Sequence, residues 1–301
     1  MTAGTPELRA AITHWAKTKL KATGEFDVLP LIGSKELVAW LPTLLQSKSV
    51  NFPEIAYPTY RVGAILAGAS EAAVAISPER WPQADLTWVN SPANPTGRVH
   101  SDQEYSNAIE WARTNNSVLV SDECYLEFGD DAVPTSILQY TNGNNHNILA
   151  VHSLSKRSSM AGYRGAFLIG DKDLIARIRE VRKHSGMMVP LPIQKAMTVA
   201  LSDETHVAEQ RARYNSRRAK LAPALKAAGF HIEYSNAGLY IWCTRKESDW
   251  DSVAWLANLG ILATPGNFYG ELGKLHIRIA MTATDLQIAE AAARINAAIQ
   301  G

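Results

Sequence analysis

Four polar clusters in this 301-residue chain each stand where a short apolar run, typical of a β-strand, gives way to a loop. In open α/β sheets, ligands bind outside the carboxyl ends of the strands. We therefore expect the four clusters to lie close together in space, although they are far apart in sequence, and to hold a single ligand. They occupy residues 33–36, 91–97, 121–125 and 152–156.

A lysine and a carboxylate in these clusters could carry out covalent and electrostatic chemistry. Lys156 follows a predicted strand and could form a Schiff base with an aldehyde, whereas a lone lysine is more often a plain surface residue. Asp122 follows the apolar run 118–120, and a carboxylate at that depth needs a cationic partner. The protonated ring nitrogen of pyridoxal phosphate is such a partner, and the pairing would keep the ring an electron sink. The alternative for Asp122 is a helix N-cap.

Three further side chains suit the ring of such a cofactor. Asn94 and Tyr125 could donate hydrogen bonds to the ring hydroxyl oxygen and so stabilise its anionic form. Tyr57 offers an aromatic face that could stack on the pyridine. Each has a structural alternative, which is a turn position before proline for Asn94 and simple packing for the two tyrosines.

The phosphate of the cofactor would need a cradle of donors. Residues 33–35 open a predicted helix, whose backbone N–H groups and dipole would face an anion, although such a run is also an ordinary helix start. Arginine suits phosphate because its planar guanidinium is a rigid fork of donors. The candidate phosphate ligands are Gly33, Ser34, Lys35, Ser153, Ser155 and Arg164.

The order and spacing of these motifs are more specific than any one of them. Asn-Pro-Thr-Gly, Asp-Glu-x-Tyr and Ser-x-Ser-Lys follow one another, and an arginine stands eight residues after the lysine. This pattern resembles the fold-type-I, class I aminotransferases, the aspartate aminotransferase superfamily, over essentially the whole chain. The resemblance implies pyridoxal 5′-phosphate as the cofactor. It makes Lys156 the Schiff-base lysine and Asp122 the partner of the ring nitrogen, and it places Asn94 and Tyr125 at the ring hydroxyl.

The resemblance also implies roles for the remaining candidates. Tyr57 would stack on the cofactor ring. Residues 275–280 are similar to the substrate strand of the family, so that Arg278, with Asn94 beside it, would bind the substrate and grip its α-carboxylate with two parallel hydrogen bonds. An edge-strand arginine is the alternative for Arg278. The phosphate would be held by Ser34, Lys35, Ser153 and Arg164.

Several runs are similar to the N-succinyldiaminopimelate aminotransferases within that family. This similarity implies amino transfer from glutamate to N-succinyl-2-amino-6-ketopimelate, in lysine and diaminopimelate biosynthesis. Other possibilities stay open: an aminotransferase of the aspartate, alanine or LL-diaminopimelate type, a β-lyase, and, ranked lower, a non-catalytic cofactor-binding domain or an inactive fragment. The similar runs are residues 32–42, 150–157, 181–190, 253–257 and 265–269.

The resemblance further implies a homodimer whose active site lies at the interface between subunits. Members of the family carry an N-terminal arm before a Gly-Thr-Pro-Glu-Leu-Arg run, and here that run begins at Gly4, close to Met1. We therefore expect this chain to lack the arm.

The alternation of apolar runs with helical patterns predicts an α/β fold. We expect a three-layer αβα large domain with a mostly parallel mixed sheet, over residues 1–208, and a smaller C-terminal α+β domain over 209–301. The boundary would fall near 205–215, inside a long helix. Thr5 would cap a first helix that opens with Pro6. Predicted strands are 26–30, 72–76, 86–90, 118–120, 148–151, 166–169, 230–234, 239–243 and 275–280, and predicted helices are 34–45, 105–114, 206–228, 251–259 and one from 284 onward.

The composition excludes several classes of protein. Hydrophobic residues make up 46% and charged residues 20%, which is typical of a globular chain and not of a disordered one. Thirty basic residues against 29 acidic ones give a net charge of +1, without the basic excess of nucleic-acid binders. No apolar stretch reaches the about 20 residues that a transmembrane helix needs, and no signal peptide is visible. Cys124 and Cys243 form no CxxC pair, so we expect no metal site, no disulfide and a cytoplasmic location.

Overall fold

The computed structural model describes residues 2–300, and its larger sheet has seven strands in the order β1-β7-β6-β5-β4-β2-β3. Strands β2 to β6 pair in parallel, whereas β7 runs antiparallel to both β6 and β1. The elements of this part are α1 (Pro6–Thr18), β1 (Asp27–Ile32), α2 (Ser34–Leu45), β2 (Ser49–Pro53), α3 (Thr59–Ala67), β3 (Ser70–Val74), β4 (Leu86–Asn90), α4 (Asp102–Thr114), β5 (Val118–Asp122), β6 (Ile148–Ser153), α5 (Leu154–Arg157), β7 (Gly165–Gly170), α6 (Lys172–His184) and α7 (Leu191–Ser202).

Helices cover both faces of this sheet. Helices α1, α4 and α7 contribute to one buried cluster, which includes Leu8, Ile109 and Met197. Helices α2, α3 and α6 contribute to a second cluster on the other face, with Leu41 and Ile175. Because both faces are covered, strands such as β4 and β6 are buried along their whole length, as is usual for parallel sheets. The predicted three-layer αβα architecture is thus confirmed.

A second, antiparallel sheet of four strands follows, in the order β10-β11-β9-β8. Leu221, Ile241, Leu256 and Ile288 share one buried cluster, which packs this sheet against its helices. The domain division between residues 208 and 209 stays a prediction. Met1 and Gly301 lie outside the described residues. The elements are α8 (Thr205–Ala227), β8 (His231–Ile232), β9 (Tyr240–Thr244), α9 (Asp249–Asn258), β10 (Thr264–Pro265), β11 (Ile277–Ala280) and α10 (Asp285–Ala298).

Local signals placed most of these elements correctly. The Thr5 side chain accepts a hydrogen bond from the Leu8 N–H at 3.2 Å, which confirms the predicted cap of α1. The strand predicted at 166–169 is antiparallel to its neighbour, as its short connection required. The strand predicted at 230–234 is wrong in length, because Tyr234 and Ser235 have φ angles of 52° and 61° and leave the extended region.

Some elements of the structure are absent from the sequence pattern or lie at other residues than it predicts. Strand β2 was not predicted, because its run is interrupted by Asn51, a buried polar residue whose side chain donates to the Pro82 carbonyl at 2.7 Å. Strand β3 begins two residues before the predicted strand at 72–76, and its first residues are exposed. Helices α3, α6 and α7 were also not predicted.

Within residues 2–300, no helix combines the length and the apolar character needed to cross a bilayer. The same residues contain no group of three or more His, Cys, Asp or Glu side chains arranged to hold a metal ion.

Candidate active site

One cavity of about 270 Å³ gathers eleven of the twelve residues singled out from the sequence. It lies at the carboxyl ends of β4, β5 and β6, which are adjacent parallel strands, so that Asn90, Asp122 and Val151 are neighbours across the sheet. The second sheet contributes to the same cavity. The eleven residues are Ser34, Lys35, Tyr57, Asn94, Asp122, Tyr125, Ser153, Ser155, Lys156, Arg164 and Arg278.

Lys156 is half-buried on α5, a single turn directly after β6. Ser153 caps this turn by accepting the Ser155 N–H at 3.1 Å. Next to the lysine, the buried Arg157 donates to the Ala200 carbonyl and to Glu204, both at 2.7 Å. The turn is therefore anchored to α7 and to the start of α8, and the lysine is presented to the cavity on a fixed support.

Asp122 is only 7% exposed at the end of β5. Its Oδ2 accepts the Tyr60 hydroxyl at 2.9 Å, and its Oδ1 accepts the Cys124 N–H at 3.2 Å. Burial raises the pKa of Asp122, although these hydrogen bonds act in the opposite direction. A cation placed beside this carboxylate would relieve the cost of its burial, which is what a protonated pyridine nitrogen would do.

Asn94 is held by the loop that follows β4. Its N–H donates to Asn90 Oδ1 at 2.8 Å, and Asn90 in turn donates to the Asp122 carbonyl at 2.8 Å. Asn94 Oδ1 accepts from Arg278 Nη1 at 2.9 Å. The side chain of Asn90 at the end of β4, the end of β5 and the second sheet are thus joined through Asn94.

Arg278 reaches the cavity from β11. Its guanidinium lies 4.1 Å from the centre of the Tyr240 ring and 5.1 Å from that of Tyr269. Its Nε makes no hydrogen bond within residues 2–300. A cation held by ring faces and by the neutral Asn94 keeps its charge available for an anionic ligand such as a carboxylate.

The remaining residues form the end of the cavity suited to phosphate. Gly33, which directly precedes α2, has a φ of 79°, and a Cβ atom at this position would lie 2.1 Å from Arg164 Nη2. Gly33 is the one residue of the predicted twelve that does not line the cavity. Because it has no side chain, the Arg164 guanidinium can lie against the start of α2. Ser34, Lys35, Ser153, Ser155 and Arg164 supply a donor set that fits a phosphate group.

Sequence reasoning missed four residues that line the cavity and one that stands behind it. The first four are Asn90, Cys124, Ala161 and Tyr240, and Tyr60 supports Asp122 from behind. Asn90 and Cys124 lie next to or within a polar cluster of the sequence, whereas Ala161 and Tyr240 lie outside all four clusters. Alternation along β9 could have placed Tyr240 and Trp242 on one face, but not in this cavity.

Comparison with known proteins points to one family. The family model described as aminotransferase class I and II matches residues 1–295. The chain is 50% identical to the probable aminotransferase Rv1178 of Mycobacterium tuberculosis, covering 98% of this chain and 72% of that protein. It is 49% identical to the 4-dedimethylamino-4-oxo-anhydrotetracycline transaminase OxyQ of Streptomyces rimosus, covering 98% and 84%.

More distant similarities involve proteins named for diaminopimelate chemistry. The LL-diaminopimelate aminotransferase of Aquifex aeolicus is 32% identical, with 97% of this chain and 81% of that protein covered. The structure of a probable N-succinyldiaminopimelate aminotransferase from Thermus thermophilus superposes with a TM-score of 0.87 at 25% identity, covering 97% of this chain and 84% of that one.

Proposed function

This chain belongs to the class I and II aminotransferases, which depend on pyridoxal phosphate, and we propose that it transfers an amino group from glutamate to N-succinyl-2-amino-6-ketopimelate. The product would be N-succinyl-diaminopimelate. The observation that carries the amino-transfer chemistry is the meeting of Lys156, Asp122 and Arg278 around one cavity.

We assign the cofactor-facing roles as follows. Lys156 would bind the cofactor aldehyde covalently, Asp122 would pair with the ring nitrogen, and Asn94 and Tyr125 would donate to the ring hydroxyl oxygen. Tyr57 would cover the ring face, and its own ring has Lys35 Nζ 5.5 Å from its centre. The phosphate would lie between the start of α2 and Arg164. When bound, pyridoxal phosphate supplies an electron sink for the substrate α-carbon.

The chain itself supplies binding and proton transfer. Arg278 would fix the substrate α-carboxylate and thereby orient the α-hydrogen toward the lysine. The Lys156 amine would accept the α-proton of the substrate at Nζ and later donate it again, acting as general base and then as general acid. The anchored α5 turn favours this role because it fixes the backbone position from which the amine reaches the cavity.

The choice of acceptor is supported by names among the similar proteins. The Thermus protein is named for N-succinyldiaminopimelate and the Aquifex protein for LL-diaminopimelate. A second candidate acceptor is a ring ketone, because the Streptomyces relative at 49% identity is named as a transaminase of an oxo-anhydrotetracycline.

We also propose that the active enzyme is a homodimer with the site near the subunit interface.

A panel of acceptors tests the proposal. The purified, cofactor-loaded protein is given glutamate and, in turn, N-succinyl-2-amino-6-ketopimelate, the keto acids related to aspartate, alanine and LL-diaminopimelate, and the oxo-anhydrotetracycline. We expect kcat/KM for the succinylated acceptor to exceed the others by about tenfold or more, a difference of about 1.4 kcal/mol in transition-state binding. A higher value for another acceptor would replace the proposed substrate.

A second assay separates amino transfer from β-lyase chemistry. Transamination with glutamate yields 2-oxoglutarate without free ammonium. In a parallel reaction the protein is given an amino acid with a leaving group on its β-carbon, from which a β-lyase would release that group, ammonium and a keto acid. The Lys156→Ala variant serves as the blank in both assays. Ammonium formed in step with keto acid would contradict the proposed reaction.

A further inference from the structure

Tyr240 contacts both Tyr125 and Arg278, two residues that we assign to different ligands. It stands on β9, is 7% exposed and lines the cavity. Its hydroxyl lies 3.0 Å from the Tyr125 hydroxyl, and its ring centre lies 4.1 Å from the Arg278 guanidinium carbon. One side chain therefore contacts both the tyrosine assigned to the cofactor ring and the arginine assigned to the substrate carboxylate.

The register of the second sheet explains why Tyr240 and Arg278 meet. Strands β9 and β11 are antiparallel, and Arg278 pairs with Trp242 while Ala280 pairs with Tyr240. Tyr240 and Arg278 are therefore diagonal neighbours on the same face of the sheet. The flat cation lies against the ring face, an arrangement that stabilises the guanidinium and fixes its plane.

Only one arrangement of the two hydroxyl protons leaves the Tyr125 O–H free to donate to the cofactor. Burial raises the pKa of Tyr125 well above its ordinary value, so this tyrosine keeps its proton. If the Tyr125 O–H donates to the ring hydroxyl oxygen of the cofactor, the hydrogen bond between the tyrosines must be donated by Tyr240. A donor that itself accepts a hydrogen bond is polarised and donates more strongly.

We propose that Tyr240 is a positioning residue that couples the two halves of the site. Its hydroxyl turns the Tyr125 proton toward the cofactor, and its ring holds the Arg278 guanidinium flat for a carboxylate. This inference rests on the proposed function, because it takes from it the ligands of Tyr125 and Arg278. None of the motifs that carry the family resemblance includes Tyr240.

Two substitutions separate the two contacts. Tyr240→Phe removes the hydroxyl and keeps the ring, whereas Tyr240→Leu removes both. Tyr214→Phe is the matched control, because Tyr214 is buried in the same cluster and packs edge-on against Phe128. The first readout is the pH midpoint of the visible absorbance change of the loaded enzyme, and the second is the Kd of maleate, an unreactive carboxylate, measured by calorimetry.

We expect Tyr240→Phe to raise the absorbance midpoint by about half a pH unit, because the ring hydroxyl oxygen loses part of its hydrogen-bond stabilisation. Its maleate Kd should stay within about twofold of the parent value, since the ring still faces Arg278. Tyr240→Leu should raise the midpoint and also weaken maleate binding by about three- to thirtyfold. The control variant should change neither quantity.

An unchanged midpoint in Tyr240→Phe would overturn the role of the hydroxyl, and an unchanged maleate Kd in Tyr240→Leu would overturn the role of the ring. Equal shifts in Tyr214→Phe would show a general effect of the core and would also refute the inference. A parent protein that binds maleate but gains no visible band with pyridoxal phosphate would contradict the proposed function. In that case the maleate comparison still decides the contact with Arg278.

Discussion

Lys156, Asp122 and Arg278 each depend on a particular neighbour for their proposed chemistry. The lysine stands beside Arg157, whose ion pairs with Glu127 and Glu204 anchor the turn. The aspartate is oriented by Tyr60, and the arginine is held between aromatic faces. At the scale of single residues, each role predicts a different failure when the side chain is changed.

Replacement of Lys156 by alanine should abolish covalent attachment of the cofactor. Borohydride reduction of the loaded parent protein should fix pyridoxal phosphate to this residue in peptide mapping, and the variant should lose the label. Turnover should fall by about 10²- to 10⁴-fold or more, because the group that moves the α-proton is gone. Lys172→Ala is the control, since Lys172 is exposed and pairs with Glu25. A label found on Lys35 or Lys172 would contradict the assignment.

Replacement of Asp122 by asparagine should preserve binding but not turnover. The shape is kept, so the phosphate cradle still holds the cofactor, while the charge that would keep the ring nitrogen protonated is lost. We expect kcat to fall by more than about a hundredfold and the cofactor Kd to change much less. Asp171→Asn, at the buried cap of α6, is the matched loss of a carboxylate outside the site. Near-normal turnover in Asp122→Asn would argue against the role.

Arg278→Lys keeps the positive charge and loses the planar fork. We expect kcat/KM for amino acids to fall by about ten- to a hundredfold, as a charged hydrogen bond is lost, while cofactor affinity is kept. The control is Arg245→Lys, because Arg245 also lies against aromatic rings, with the Trp255 ring centre at 4.7 Å, but outside the cavity. A comparable loss of cofactor affinity in Arg278→Lys would indicate a structural role.

At the scale of elements, the site depends on where strands end and helices begin. Three parallel strands bring Asn90, Asp122 and Ser153 to one edge of the sheet, and α2 begins at the same edge directly after β1. The start of α2 is special because Gly33 leaves room for Arg164. The glycine thus contributes its lack of a side chain and a positive φ.

Gly33→Ala should therefore cost both stability and phosphate binding. The backbone conformation alone disfavours alanine by about 1 kcal/mol or more, and the added methyl group would displace the Arg164 guanidinium. Gly68→Ala is the matched control, because Gly68 has a φ of 64° and no atom within 4 Å of the new Cβ. We expect both variants to lose thermal stability, measured by calorimetry, and only Gly33→Ala to raise the Kd of pyridoxal phosphate. Equal Kd values for pyridoxal phosphate in the two variants would show that the contact between Gly33 and Arg164 does not contribute to phosphate binding.

At the scale of the whole molecule, large apolar side chains are exposed close in sequence to the site. Tyr163, 52% exposed, directly precedes Arg164, and Met188 and Leu191, at 46% and 54%, stand before and at the start of α7. Exposed apolar surface next to a binding site favours association with another protein surface. These residues are candidates for the interface of the proposed homodimer.

Sedimentation should therefore give a particle of twice the 32.9 kDa chain mass. Tyr163→Arg should weaken the dimer by about tenfold or more, because a charge would be buried against an apolar surface, and cofactor affinity should fall with it. Leu286→Arg, at the exposed start of α10, should leave the mass unchanged. A monomeric parent protein with full cofactor affinity would contradict the dimer.

The sequence by itself determined several helix starts, most strands and the polar clusters at their ends. Thr5 and residues 118–122 illustrate this, because a cap or an apolar run depends on neighbours within a few residues. The tertiary structure decided which strands are adjacent and how the second sheet meets the first. Tyr125 and Tyr240 are 115 positions apart, and Asn94 and Arg278 are 184 apart, yet each pair forms a hydrogen bond. Periodicity fixes the face of a strand on which a side chain stands, but the partner across the cavity depends on long-range packing, which no local pattern encodes.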